Sequence, residues 1–355
     1  MKILITGVCG FVGSTLAECL MERLEGVRII GIDNLMRPGA ETNRTRIEQL
    51  GVQFIHGDLR SASDISGLPK CDWVIDAAAD PSVLAGLSGA GSSRRLFEHN
   101  LAAIGNVLEY CREHKAGLAL LSSSRVYSIS ALASIPLRVE DQAFEVDDAG
   151  RLPAGLTANG IGVEFSTSAP VSLYGATKLA SEIMALEYGA AFDFPVWITR
   201  CGVLAGAGQF GTPAQGIFAF WINAHLRRRP MRYIGFEGAG YQTRDAFHPR
   251  DLAALLVAQM RTARTDGRRI YTAGGGPSNS MSLAQLTAWC DERFGRHAPT
   301  SDKEPRKFNI PWVVMDNSMA EAEFGWKIEM PLGTILEGIA QHANDHPDWL
   351  EVSHA

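Results

Sequence analysis

This chain has no long apolar run, no C-x-x-C pair, no excess of positive charge and no internal repeat or low-complexity tract. Each absence removes a class of protein. No stretch approaches the roughly 20 apolar residues that a membrane-spanning helix needs. The chain opens directly on the strand-like run KILITGV, so no secretory segment is expected ahead of it. The six cysteines (Cys9, Cys19, Cys71, Cys111, Cys201 and Cys290) are scattered. They read as buried free thiols in a reducing cytoplasm, not as metal ligands or disulfides, and no metal is expected. Lys and Arg number 33 against 39 Asp and Glu, for a net charge of −6. That balance argues against nucleic acid or an anionic membrane as the main partner.

What is present is an apolar fraction of 46% over 355 residues. This is enough for one large α/β domain and a smaller lobe. Residues 2–8 read as a strand, and STLAECLMERL from Ser14 reads as an amphipathic helix. Between them lies Gly7-Val8-Cys9-Gly10-Phe11-Val12-Gly13. In such a strand–turn–helix, Gly7 permits the tight turn and Gly10 the close approach of a pyrophosphate. Gly13 lets the helix pack on the strand, and the helix N-terminus offers N–H groups to phosphate. Phe11 and Val12 share that loop. A second strand, VRIIGI, ends at Asp33, about twenty residues past the last glycine, where an acid is expected to hold a ribose 2′-hydroxyl. The pattern predicts a Rossmann-type, doubly wound parallel sheet binding NAD rather than NADP. Arg37 is either a holder of a 2′-phosphate or a solvated loop arginine.

Strand and helix patterns alternate onward. Asn34 follows Asp33. Asp58 and Leu59 close the third strand, with Asp58 either an adenine contact or a turn acid. Ala77, Ala78 and Ala79 follow the fourth strand and leave room for a cofactor backbone. Asn100 lies in a long helix, and GLALLSSSRVYS is a strand ending in serines. Residues 128–170, with little periodicity, read as an insertion forming a surface excursion. The first 206 residues are expected to be mainly the dinucleotide domain. Residues 207–355 are expected to be mainly a substrate lobe, with about 245–275 returning to the first domain.

Tyr174 and Lys178 stand four apart in SLYGATKLASEIMALEY, on one face of a helix. An ammonium beside a phenol favours the phenolate, which can take a proton from a sugar hydroxyl. A helical Tyr-x-x-x-Lys pair is common by chance, and the glycine loop and Asp33 give it meaning.

In order, TGVCGFVGS, DNL, GDL, DAAA, LSSSRVY, YGATK and RDAFHPRDL resemble the extended short-chain dehydrogenase/reductases, the nucleotide-sugar epimerase/dehydratase family. The resemblance covers nearly the whole chain. It implies Ser123, four before Tyr127, as the hydroxyl on the reacting sugar oxygen, with Ser124 the alternative register. It implies Tyr174 as the base, Lys178 on the nicotinamide ribose, and Asn100 at the cofactor, bracing the site. The family's dehydratases carry Asp-Glu directly after that serine; here Ser124 and Arg125 stand there, which points away from elimination. Epimerisation through a transient keto-sugar remains. The segments FSTSAPVSLYGATKLASE and AGAGQFGTPAQGIFAFW are most similar to the branch that inverts C2 of a CDP-linked sugar. Inversion at C4 of a UDP-hexose is the alternative, and a non-catalytic dinucleotide-binding regulator is a third reading.

The diphosphate needs cations. Arg244 is the candidate for a bidentate phosphate contact, the competing role being a salt bridge to Asp245 or Asp251. Gln209, Gln215 and Trp221 lie in the lobe, the glutamines as substrate contacts and Trp221 rather as core. His248 before Pro249 reads as structural. Arg227, Arg228 and Arg229 read as a solvated helix end rather than a second phosphate site. The family resemblance also implies a homodimer paired through the helix after Asn100 and the Tyr174 helix.

Overall fold

The computed structural model describes residues 1–87, 91–262, 264 and 266–354. Seven strands form the central sheet: β1 (Lys2–Thr6), β2 (Arg28–Asp33), β3 (Gln53–His56), β4 (Trp73–Asp76), β5 (Gly117–Ser123), β6 (Val196–Cys201) and β7 (Ile270–Ala273). All neighbours pair parallel, in the order β7-β6-β5-β4-β1-β2-β3. The order reverses between β1 and β4, and a ligand crevice opens at such a switch point, outside the carboxyl ends of the strands. Runs such as ILI in β1 and ALL in β5 are buried because helices cover both faces. Four helices matter here: α1 (Phe11–Arg23), α2 (Ala103–His114), α3 (Ser172–Phe192) and α4 (Pro249–Thr262).

The smaller lobe has its own sheet and core. The strand Thr243–Phe247 pairs with Val203–Leu204, Ser280–Ser282 and Trp312–Val313. Helices Ile217–Leu226, Leu283–Phe294 and Leu332–Asp345 enclose Phe218, Trp221, Leu286, Ile335 and Ile339. Trp221 is indeed core, its ring stacked on Tyr233 at 5.5 Å and its indole N–H bonded to Thr287. Between the two lobe strands Thr243–Phe247 and Ser280–Ser282, α4 and β7 return to the main sheet.

Residues 128–170 are more than a surface excursion. Their hairpin Leu137–Glu140 and Ala143–Val146 meets the lobe, where Phe144 donates to the Tyr241 carbonyl and accepts from Thr243 Oγ1. Leu132, Ile135, Leu156, Ile161 and Phe165 share a core with Tyr127 and with residues 310–315. The six cysteines are buried and unpaired, as their scatter implied. No described helix is long and apolar enough to cross a membrane.

Candidate active site

The glycine loop follows β1 at the switch point. Gly7 sits at φ +64°, and a Cβ there would stand 2.8 Å from the Ala78 Cα. A Cβ on Gly13 would stand 2.2 Å from the Gly7 carbonyl oxygen. The two glycines thus let the loop lie flat between β4's extension and α1. Asp33 fastens the same loop, accepting the Cys9 N–H at 2.9 Å and the Leu35 N–H at 2.8 Å. Burial raises the pKa of this carboxyl and the two N–H bonds oppose the shift. Below, Thr6 donates to buried Asp76 at 2.6 Å and accepts from the Ala77 and Ala78 N–H groups.

A cleft of about 420 Å³ opens here, lined by Gly7, Gly10, Phe11, Val12, Asp33, Asn34, Asp58, Leu59, Ala77, Ala78, Ala79, Tyr174 and Lys178. Nothing bulky fills the glycine cradle, and an acid stands at the end of β2, so these residues fit a dinucleotide. Asp58 lines this cleft and also holds its own turn, Arg60 and Asn34 donating to both its oxygens. The Arg60 guanidinium holds its pKa well below the usual carboxylate range. Asn100 does not line the cleft. Its amide grips the backbone of Asp80 in both directions, at 2.7 and 2.9 Å, and reaches Thr177 on α3. Asn100 therefore shapes the loop beside the cofactor rather than touching it. Arg37 is neither solvated nor free for a 2′-phosphate: it donates to Gln215 Oε1 at 2.9 Å and the Phe210 carbonyl at 2.8 Å, tying the two lobes together.

A second cavity of about 480 Å³ lies against the first. Ser123, Ser124, Arg125, Trp221, Arg232, Arg244 and Arg306 line it, and among the described residues its lining holds no Asp or Glu. Tyr174 faces both cavities, as do Ser122 and Gln215. Ser123 ends β5 and its Oγ accepts the Arg125 N–H at 3.1 Å. Tyr174 is 8% exposed and Lys178 5%, with Lys178 Nζ donating to the Leu121 carbonyl at 3.0 Å. One turn on, Glu182 pairs with Arg200 at 2.7 Å, both buried, and accepts from Ser122. That pair locks the helix of Tyr174 to β5 and β6. Such burial yields little net stability, but losing one partner costs about 3–5 kcal/mol.

Arg244 makes no ion pair among the described residues. Asp245 is occupied by the N–H groups of Met315 and Gly276, and Asp251 by those of Glu329 and Met330. Arg244 instead donates to the Thr243 and Ile310 carbonyls, and burial pushes its pKa down to about 9. Gln209, expected at the substrate, lines only the first cleft. Its loop folds back onto Phe11 and Trp349, and its amide donates to the Leu204 carbonyl at 2.6 Å. His248 is structural, its Nδ1 accepting the Arg250 N–H in the first turn of α4. Arg227, Arg228 and Arg229 are not a phosphate site: they bind the carbonyls of Ala343 and of residues 294–296, and Glu351. Arg125, Arg232 and Arg306 share the cavity lining with Arg244 although no sequence motif marks them, and none marks the Arg37 tie.

The family described as NAD dependent epimerase/dehydratase matches residues 3–274. CDP-paratose 2-epimerase of Salmonella typhi is 26% identical over 321 residues, 87% of this chain and 90% of that protein. UDP-glucuronate 4-epimerase 2 of Arabidopsis thaliana is 26% identical over 358 residues, covering 95% and 74%. The crystal structure of UDP-glucuronic acid 4-epimerase from Bacillus cereus superposes with a TM-score of 0.76 at 22% identity, covering 97% of this chain and 99% of that one.

Proposed function

The chain belongs to the NAD dependent epimerase/dehydratase family, and from that premise we propose that it inverts one carbon of a nucleoside-diphosphate sugar. One observation carries this reading: Tyr174 stands where the glycine-cradled cleft meets an arginine-lined cavity free of acids among its described residues. When bound, NAD supplies the hydride acceptor and donor for the reacting carbon. Tyr174 takes the proton of the hydroxyl on that carbon and later returns it. Ser123 holds the same oxygen, and Lys178 presents its ammonium from the cofactor side. Arg244 and Arg306 neutralise the diphosphate. The absence of an acid at Ser124 or Arg125 leaves no group in that turn to move a proton at a neighbouring carbon, which supports inversion over elimination. Asp33, at the ribose position, supports NAD over NADP.

Within this class, the CDP-paratose 2-epimerase type is supported by the Salmonella relative. A UDP-hexose 4-epimerase is the second reading, supported by the plant relative. Leu173, Ile183 and Met184 on α3 and nearby Phe97 leave an exposed apolar face; that face supports a homodimer, which sedimentation would test. Six buried free thiols support a cytoplasmic setting.

The test is direct. Purified protein should carry NAD without addition and convert CDP-paratose to CDP-tyvelose with no net NADH. Tyr174→Phe should keep the NAD and lose turnover by about a hundredfold or more. Full activity in that variant would sink the mechanism, and turnover of UDP-glucose alone would select the second reading.

A further inference from the structure

Arg125 bears on which ring carbon faces Tyr174. Its backbone N–H is bonded to Ser123 Oγ within the 124–126 turn, so the turn and the serine are fixed to each other. Its guanidinium donates to the Phe308 carbonyl at 3.2 Å. Arg244 donates to the Ile310 carbonyl at 2.6 Å, and Arg306 belongs to the same short segment. Two guanidiniums are therefore anchored at the carbonyls of Phe308 and Ile310, and Arg306 lines the same cavity. Two residues of backbone span at most about 7 Å, so the anchors of Arg125 and Arg244 lie within reach of one diphosphate and its sugar ring.

Asp245 alone among the described carboxylates offsets burial at Arg244, and it forms no ion pair with it. Among the described residues none of the three forms an ion pair, and the cavity lining holds no acid. The charges feel one another: burial first, then Arg306, pushes Arg125 down to about 10, and Arg125 helps burial lower Arg244. An anion spanning the cluster relieves this.

On the reading that the site epimerises a nucleoside-diphosphate sugar, the phosphate nearer the sugar is the one esterified at the anomeric carbon. The C2 hydroxyl neighbours that ester, whereas the C4 hydroxyl lies across the ring. Arg125 lines the same cavity as the serine that holds the reacting oxygen, so a phosphate bound to it brings the anomeric end of the sugar towards Ser123. We infer that Arg125 binds the sugar-side phosphate and so sets C2, the carbon next to the anomeric centre, against Ser123 and Tyr174. Arg125 is thus a specificity-determining residue.

Two measurements test this on the NAD-loaded protein. In the first, CDP-paratose turnover is quenched with sodium borodeuteride, which reduces any keto-sugar and marks its carbon. Deuterium at C2 is expected; deuterium at C4 overturns the assignment. In the second, CDP and CMP are titrated into wild type, Arg125→Met and Arg125→Lys, with UDP and UMP run in parallel. CDP carries the sugar-side phosphate and CMP does not. Arg125→Met should weaken the diphosphate by about tenfold or more and leave the monophosphate unchanged, and Arg125→Lys should restore most of the loss. Equal losses for both nucleotides, or no loss, overturn the role of Arg125. If wild type binds neither diphosphate and converts no nucleotide sugar, the nucleotide-sugar reading itself falls, a result distinct from the other two.

Discussion

Gly175 stands so close to the turn after Ser123 that a Cβ on it would lie 2.1 Å from the carbonyl oxygen of Arg125. The tyrosine helix rests on that turn with no side chain between, and Tyr174 and Ser123 line one cavity. Gly175→Ala should therefore push the helix off the turn. The expected cost is about 1–3 kcal/mol of stability together with a fall in kcat. Urea unfolding and turnover measured side by side would check it; a variant with wild-type stability and rate would refute the contact's importance.

Ser123 and Ser124 separate by mutation. Ser123→Ala should lower kcat about a hundredfold, the scale of one lost donor to a developing charge, with NAD content unchanged. Ser124→Ala should remain within a few-fold of wild type. The reverse order would move the role to Ser124.

Arg37 bridges from the loop after β2 to Gln215 and Phe210, over the dinucleotide cleft. Arg37→Ala should release NAD during gel filtration, with a dissociation constant raised about tenfold. It should not create a preference for NADP, since Asp33 is untouched. Full retention of NAD would show that the bridge does not gate the cofactor.

Acid should destabilise the protein through His248. Burial pushes its pKa down to about 4, and its Nδ1 must stay unprotonated to accept the Arg250 N–H. The folded state thus prefers the neutral ring. The stabilisation is complete above the unfolded value near 6.5 and is lost as pH falls from there towards 4, by on the order of 2 kcal/mol. His248→Asn, which keeps a side-chain acceptor, should flatten the stability profile in that window. His342, also pushed down to about 4 by burial, titrates in the same range, so the slope should shrink rather than vanish.

The parts of the site that were legible in the sequence are those built locally. Gly7, Gly13 and Asp33 belong to one strand–turn–helix–strand unit, and Tyr174 and Lys178 to one helix face, so spacing alone placed them. Long-range arrangement was not legible. Arg125 and Arg244 meet only because residues 306–310, far along the chain, supply carbonyls to both. Gln209 looked like a substrate contact because it lies in the lobe's loops, yet its loop packs on Phe11 of the first domain. Asn100 was expected at the cofactor, but its amide is spent on the backbone of Asp80. Arg37 could not be resolved between two local roles because its partners lie in the other lobe.

The core shared by Tyr127, Phe165 and residues 310–315 is closed by Ile161 donating to the Val314 carbonyl and accepting from the Asp316 N–H. Chain from three distant stretches is thus stitched into one layer. No single cut separates the lobes: a fragment ending near residue 206 would bare the apolar side of that layer. The protein should melt as one cooperative unit, and a different second lobe cannot be grafted on by exchanging its C-terminal half alone.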